Sequence, residues 1–447
     1  MALSGLAIYK LLAKTNCKEC GYPTCLAFAM KLAAKQAELS DCPYVSEEAK
    51  AALEESSAPP IRLVKIGEGD RAVEVGNETV MFRHEKTFVH APGFFVCIKD
   101  DMAPEEIERR AKEAVEYSVE RVGLNLRLNG LAMIGVSGDA DRFAAAVQAA
   151  RRAAGDVPMV LVARKAQVLK AGVAHASPRP LLWAATQDNW QEVAAIAKEA
   201  GAPVVAAAEG DLSALAEVTR NLKGAGIEEI VLDPRPSSAA EALRLFTGLR
   251  RLALRQNYRD LGYPILATTE IAPTLNGQAL LAAQHVAKYG GVILLEEFDP
   301  AAAYALLTLT LNIYTDPQKP IQVSPGLYEI GSPNADSPLL VTTNFSLTYF
   351  SVSSEIEASG HPAWLLVADA EGLSVLTAWA AGKFDAETIA KAVKQFGVEE
   401  KVPHRKIILP GFVASLSGEV EDELPGWTVL VGPREAVDIP AYLKNWR

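Results

Sequence analysis

The chain has 447 residues, 49% of them hydrophobic, and 44 Lys and Arg against 55 Asp and Glu give a formal net charge of −11. That length implies about two to four domains, and an acidic balance with no basic stretch argues against nucleic acid and anionic membrane surfaces as partners. No apolar run approaches the roughly 18 residues of a membrane helix, so a cytoplasmic protein is expected.

The first fourteen residues lack the charged start and long apolar run of a signal peptide; they read as an amphipathic helix capped by Ser4. Four of the five cysteines then follow within 42 residues as Cys17-x2-Cys20-x4-Cys25-x16-Cys42-Pro43. Soft thiolates gathered this tightly in a chain otherwise almost cleared of sulfur point to a metal centre, and the spacing favours a [4Fe-4S] cluster held by four thiolates. A structural zinc site and a pair of disulfides are the alternatives; zinc usually takes two C-x2-C pairs and disulfides need an oxidising compartment. Gly21 sits where backbone must come close to sulfur, and Thr24 caps a helix expected to begin near Cys25, whose free amides would face the thiolates.

Residues 1–57 are therefore expected to form a small cluster module, ending in a Ser/Pro-rich seam at 56–60 after a charged helix at 47–55. Residues 58–92 read as a hairpin layer with strands at 61–66, 72–75 and 78–82. From 93 to 313 one unit recurs, a short apolar strand followed by an Ala/Leu-rich helix. Its strands are expected at 94–99, 131–136, 158–163, 180–185, 203–208, 229–233, 264–268 and 292–296. Such runs, apolar on both faces, suit parallel strands buried under helices, and the repeat predicts a (βα)8 TIM barrel, with an open doubly wound sheet as the rival. Residues 314–338, rich in Pro, Gly, Asn and Asp, read as a linker. Residues 339–447 read as a smaller Rossmann-like α/β domain, with strands at 339–343, 364–368, 406–409 and 427–431 and helices at 346–358, 373–381 and 386–395.

In open parallel sheets ligands bind outside the carboxyl ends of the strands. Those ends carry Thr342, Thr343, Asn344 and Ser346; Ala370, Glu371, Gly372, Leu373 and Ser374, with Thr377 a turn further on; Gly411; and Gly432, Pro433 and Arg434. Small and glycine-bearing edges let backbone approach something large and flat, although glycine after a strand also simply makes turns. Residues such as Ser374 and Thr377 at a helix start more often simply cap it, and Arg434 reads alternatively as facing solvent or as pairing with Glu435 or Asp438. No G-x-G-x-x-G follows the first strand, which disfavours a nicotinamide dinucleotide. The barrel strand ends carry Asp100, Asp139, Asp188, Asp233, Glu270 and Glu297, where barrel active sites lie. Cys97 reads as inert core, and His84, His90, His175 and His285 lack metal spacing.

The segments NCKECGYPTCLAFAMKLA, DCPY and MFRHEKTFVHAPGFFV, in this three-part order, resemble the large (gamma) subunits of corrinoid iron–sulfur proteins, part of the acetyl-CoA decarbonylase/synthase system of the reductive acetyl-CoA (Wood–Ljungdahl) pathway. The resemblance implies that the C-terminal domain binds a corrinoid and that the strand-end residues above contact it. Cobalt as Co(I) would take a methyl group from methyltetrahydrofolate through a separate methyltetrahydrofolate:corrinoid methyltransferase and deliver it to the nickel centre of acetyl-CoA synthase. The cluster on Cys17, Cys20, Cys25 and Cys42 would reactivate Co(II), and a small subunit would complete a heterodimer. The barrel is then expected to serve as scaffold and docking surface. A self-contained methyltransferase and a cluster-only electron-transfer protein are the alternatives. Many corrinoid proteins ligate cobalt through D-x-H-x-x-G; here only His90-x-x-Gly93 matches in part, with Phe88 in place of Asp and outside the C-terminal domain. The cobamide is therefore expected base-off and without a protein histidine.

Overall fold

The computed structural model describes residues 5–33, 36–46, 50, 59–316 and 320–446. The expected cap Ser4, the charged helix at 47–55 apart from Lys50, and the seam at 56–58 lie outside them. Contact density divides the chain into two units, residues 1–117 with 127–314, and residues 118–126 with 315–447.

In the first unit a short antiparallel hairpin, β1 (Val64–Ile66) and β2 (Val73–Val75), precedes the repeating part. β3 (Gly93–Lys99) opens the barrel; β4 (Ser118–Arg121) and β5 (Leu124–Arg127) form a separate two-stranded ribbon. The barrel continues with β6 (Gly130–Ile134), β7 (Met159–Val162), β8 (Leu181–Ala185), β9 (Val204–Ala207), β10 (Ile230–Asp233), β11 (Ile265–Thr268) and β12 (Gly290–Leu295). These eight strands pair in parallel in the cyclic order β3, β6, β7, β8, β9, β10, β11, β12 and back to β3. The expected (βα)8 barrel is present, and closure rules out the open sheet. Each expected strand overlaps the observed one.

Alternation along the strands divides barrel interior from helix-facing exterior. Phe95 and Cys97 of β3 join Ala132, Val160, Leu181, Val205, Val231, Leu266 and Val292 in the interior cluster. Val64, Ile66, Val73 and Val75 complete that cluster, so the β1–β2 hairpin plugs the barrel. Its backbone meets residues that precede barrel strands: Arg62 N–H donates to Gly262 O and Gly67 N–H to Arg179 O. The plug therefore sits at the amino-terminal end and leaves the carboxyl ends of the strands open. Several helices start where side chains cap them: Asp139 accepts from Arg142 N–H, Asp211 from Ser213 and Ala214 N–H, and Ser238 from Glu241 N–H.

The third strand expected at 78–82 does not form. Glu78 is buried instead and accepts from Val89 N–H at 2.8 Å. It also pairs with buried Arg250 at 3.1 Å, whose guanidinium donates to Val80 O and lies over the rings of Phe88 and Tyr289. A buried carboxylate with these partners fixes an irregular path that strand pairing would not satisfy.

The second unit is a five-stranded sheet. β13 (Gly326–Ile330), β14 (Leu339–Thr343), β15 (Ala363–Ala368), β16 (Lys406–Leu409) and β17 (Thr428–Val431) lie in the order β13, β15, β14, β16, β17, all parallel except β13, which runs antiparallel to β15. The four expected strands are there. The segment read as a linker, 314–338, holds the extra edge strand β13, whose short alternating Gly-Leu-Tyr-Glu-Ile run is hidden among turn residues. Both faces are covered. Leu339, Val341, Leu366 and Leu409 pack with Ile389, Val393 and Val420 from helices on one side; Leu340, Leu365, Val367 and Ile408 pack with Ile356, Ile439 and Leu443 on the other. The β4–β5 ribbon also belongs to this unit, although it lies between β3 and β6 in sequence. A Cβ on Gly123, at φ +74° in its turn, would stand 2.5 Å from the Phe350 ring.

Because Glu78 has no water to fall back on, Arg250→Met should strand its charge and destabilise the barrel unit by about 3 kcal/mol or more. Arg250→Met with Glu78→Leu should recover part of that loss. Calorimetric unfolding of the two variants checks the order, and equal midpoints for wild type and Arg250→Met would show that the pair does not hold this segment.

Candidate cofactor sites

The cysteine segment folds around the helix Cys25–Ala33, where Thr24 Oγ1 accepts from Ala27 N–H at 3.1 Å, the cap expected from sequence. Before it the chain curls through left-handed residues Lys14, Asn16, Lys18 and Gly21. Asn16 clamps the curl onto the helix start: its Oδ1 accepts from Cys25 N–H at 2.9 Å, and its N–H donates to Cys25 Sγ at 3.3 Å. Cys25 and Cys42 lie in one apolar cluster with Ile8, Leu12 and Phe28, and Cys20 packs against it. Cys17 is exposed. Tyr44 donates to Glu19 at 2.8 Å, and its pKa is raised first by that bond and then by Glu19's charge.

Three of the cysteines thus gather on one small apolar cluster while Cys17 stands exposed, and the four are not drawn into a ligand cage. Among the described residues no group of three or more His, Cys, Asp and Glu side chains is arranged to hold a metal ion. Burial divides the set, with two thiols inside and one on the surface. No two of the five cysteines are bonded to each other in this structure. The donor chemistry, four soft thiols on a tight curl with an amide already donating to one sulfur, fits an iron–sulfur cluster. Cys97 stands apart in the barrel interior, where burial pushes its thiol pKa well up.

In the second unit a cleft of about 440 Å³ opens at the carboxyl end of the sheet. It is bordered by Thr342 on β14, Pro410 and Phe412 after β16, and Gly432, Pro433 and Arg434 after β17. The chain passes from β14 outward to β15 and then back across β14 to β16, so strand order reverses between β14 and β16. That topological switch point is where a doubly wound sheet leaves a crevice. Leu347, Leu376 and Phe412 stand exposed on its walls. The Thr342 hydroxyl is buried there with no hydrogen-bond partner among the described residues. An orphaned hydroxyl beside a cleft leaves a hydrogen bond that an external partner could supply.

The strand-end residues separate into two sets. Thr342, Ser374, Gly432, Pro433 and Arg434 line the cleft, and the Arg434 guanidinium lies 6.0 Å from the centre of the Phe412 ring rather than pairing with Glu435 or Asp438. The others are placed elsewhere. A strap, residues 321–323, crosses the ends of β14 and β15: Ser346 N–H donates to Ile321 O and Val323 N–H to Asn344 O. Asn344 is consumed by this crossing. Its amide donates to Gln322 Oε1 and Asp369 Oδ1, and its oxygen accepts from Ala370 and Gly372 N–H, both at 2.9 Å. Thr343 and Ser346 are buried outside the cleft lining, their hydroxyls without partners among the described residues. Gly372, at φ +74°, makes room for the strap, since a Cβ there would stand 2.5 Å from Gln322 Cγ. Gly411 likewise makes room for protein: its Cβ would meet Gly432 O at 2.6 Å. Ala370 is core, Leu373 packs against the core, Glu371 pairs with Lys383 at 2.7 Å, and Thr377 shares a hydroxyl bond with Ser374 at 3.0 Å. Leu347, Leu376 and Phe412 were missed as site residues because an apolar side chain at a helix start gives no sequence sign of being exposed.

His361 and His404 have other partners. His361 Nδ1 meets Ser359 O at 2.9 Å; His404 Nε2 meets Ser337 O at 3.0 Å while its Nδ1 accepts from Lys406 N–H. Neither lines the cleft.

Comparison with known proteins places this arrangement. Residues 63–443 match the family described as CO dehydrogenase/acetyl-CoA synthase delta subunit, and residues 12–44 match an Fe-S cluster family. A corrinoid/iron-sulfur protein large subunit from Moorella thermoacetica is 44% identical over 99% of both chains. An acetyl-CoA decarbonylase/synthase complex subunit gamma from Archaeoglobus fulgidus is 38% identical over 99% of this chain and 98% of its own. Among solved structures, a dihydropteroate synthase from Thermus thermophilus aligns with 57% of this chain and 100% of its own, at 17% identity and a TM-score of 0.41. With identity at this level over nearly the whole of both chains, the chain belongs to the family of corrinoid/iron-sulfur protein large subunits and acetyl-CoA decarbonylase/synthase gamma subunits.

Proposed function

We propose that this protein is the large subunit of a heterodimeric corrinoid methyl carrier that serves acetyl-CoA synthesis in the cytoplasm. The observation that carries the reading is the cleft at the β14/β16 switch point, with its exposed apolar walls and orphaned Thr342 hydroxyl. When bound, the corrinoid supplies a cobalt centre that takes a methyl group from methyltetrahydrofolate through a separate methyltransferase and passes it to the nickel centre of acetyl-CoA synthase, while a [4Fe-4S] cluster supplies single electrons for reactivation.

The chain's own contribution is to hold and orient. Leu347, Leu376 and Phe412 offer apolar surface to a flat macrocycle and exclude water beneath it. Thr342 and Ser374 offer hydroxyls to its amide-bearing rim, and Arg434, steadied over Phe412, offers a cation. The strap and Asn344 keep the β14 and β15 ends from collapsing into the opening. With His361 and His404 bonded elsewhere, neither would offer a nitrogen to a bound cobalt, which supports a His-off corrinoid; the base-off state is proposed with it. Cobalt held without a histidine donor would be more readily reduced and more nucleophilic. Cys17, Cys20, Cys25 and Cys42 are the cluster ligands in this reading, with Asn16 N–H donating to one sulfur. The small subunit, the methyltransferase and acetyl-CoA synthase are the partners it requires.

Iron analysis of anaerobically purified protein tests the cluster. About four irons per chain are expected; Cys42→Ser should lose most of that iron, and Cys97→Ser should keep it. Full iron retention in Cys42→Ser would remove that residue from the ligand set. Thr342→Val tests the cleft in two directions. Removing an unsatisfied buried hydroxyl should stabilise the corrinoid-free protein by ~1 kcal/mol, yet weaken cobinamide binding, followed by absorption titration, about fivefold. Unchanged cobinamide affinity would mean that the ring lies elsewhere.

A further inference from the structure

The barrel has a cleft of its own, about 830 Å³, at the carboxyl ends of its strands. That volume lies within the ~300–1,000 Å³ of small-molecule sites, on the face where barrels bind their ligands. Its floor is fixed. Asp233 is buried, with Oδ2 accepting from Trp183 Nε1 at 2.7 Å and Oδ1 from Arg235 N–H at 2.9 Å. Burial raises the Asp233 pKa against the pull of those two bonds.

Most charges around the mouth are paired. Lys99 meets Glu296, Arg235 meets Glu209 at 2.6 Å, and Glu241 accepts from Ser237. Two places differ. At the end of β7, Arg164 is exposed and has no partner among the described residues, and Lys165 makes only a 3.4 Å bond to Gly138 O. These cations lead directly into the helix Ala166–Val173, which no side chain caps, and Gly135 and Gly138 leave the neighbouring β6 edge low. At the end of β11 the Glu270 carboxylate has neither hydrogen bond nor ion pair among the described residues. In the closed order β7 and β11 are four strands apart and face each other across the mouth. An unneutralised cation pair and an unneutralised carboxylate therefore oppose each other over a cavity with a rigid, partly aromatic floor.

We propose that the barrel mouth is a second ligand site, distinct from the corrinoid cleft, for a small molecule with an anionic group at one end and an amine or amidine at the other. The anionic group, a carboxylate or a phosphate, sits against Arg164, Lys165 and the uncapped amides after β7; the donor end reaches Glu270. Neither charge then needs to remain unmatched.

Calorimetric titration of the full-length protein tests this, with β-alanine, γ-aminobutyrate and ε-aminocaproate as zwitterions, glutarate and adipate as dicarboxylates, and inorganic phosphate. The expected result is saturable binding of at least one zwitterion, at least about fivefold tighter than the dicarboxylates. Glu270→Gln should erase that preference while leaving dicarboxylate affinity equal or better. Arg164→Ala with Lys165→Ala, both exposed positions, should weaken every probe about tenfold with an unchanged melting temperature. Phosphate binding that outranks carboxylate and is lost in the same double variant supports the site and identifies its anion as phosphate. Absence of saturable binding by all probes at about 10 mM, or binding indifferent to the Arg164/Lys165 substitutions, overturns the proposal.

Discussion

Parallel strand pairing is the constraint on which the rest of this protein depends. A parallel pair needs a crossover connection, and crossovers of one hand bring every strand back pointing the same way. All carboxyl ends therefore gather on one face, in the closed ring of β3 and β6–β12 and again in the open run β15, β14, β16, β17. Both large clefts described above open on those faces. The amino-terminal face of the barrel is used for stability instead, closed by the β1–β2 plug and by the buried Glu78–Arg250 pair.

Closure and openness give the two units different ways of making a cavity. In the closed ring the interior is filled by side chains, and the cleft is what remains above the last layer, floored by Trp183 and Asp233. In the open sheet the cavity comes from strand order. Helices leave on opposite faces from β14 and β16, and the space between them stays unfilled. The strap at 321–323 decides how much of that edge is usable. It seals the β14/β15 side through Asn344 and Gln322 and leaves the β16/β17 side open.

Several small residues take on new meaning from this geometry. Glycines at strand ends suggest close approach of backbone to a ligand. Gly372 and Gly411 do permit close approach, but of protein to protein: to Gln322 and to the Gly432 carbonyl. Asn344 looks like a polar contact awaiting a ligand and proves to have its amide bonded internally on both atoms. Thr342 differs, because strand alternation turns its side chain to the cleft side, where its hydroxyl has no hydrogen-bond partner among the described residues.

Sequence alone determined the periodic parts. Barrel strands, the four parallel strands of the second unit and the Thr24 helix cap follow from local patterning, since side-chain alternation and capping are decided by near neighbours. The thiol spacing likewise points to cluster chemistry without help from the fold. Only the tertiary structure decided the rest. Ring closure depends on β12 meeting β3 across some two hundred residues, and the loss of the 78–82 strand depends on a partner at Arg250. The strap that sorts Thr342 from Thr343 comes from a stretch whose own composition reads as linker. The reason is common to all three: each is set by a residue far away in sequence, whose position relative to the site exists only once the chain has folded.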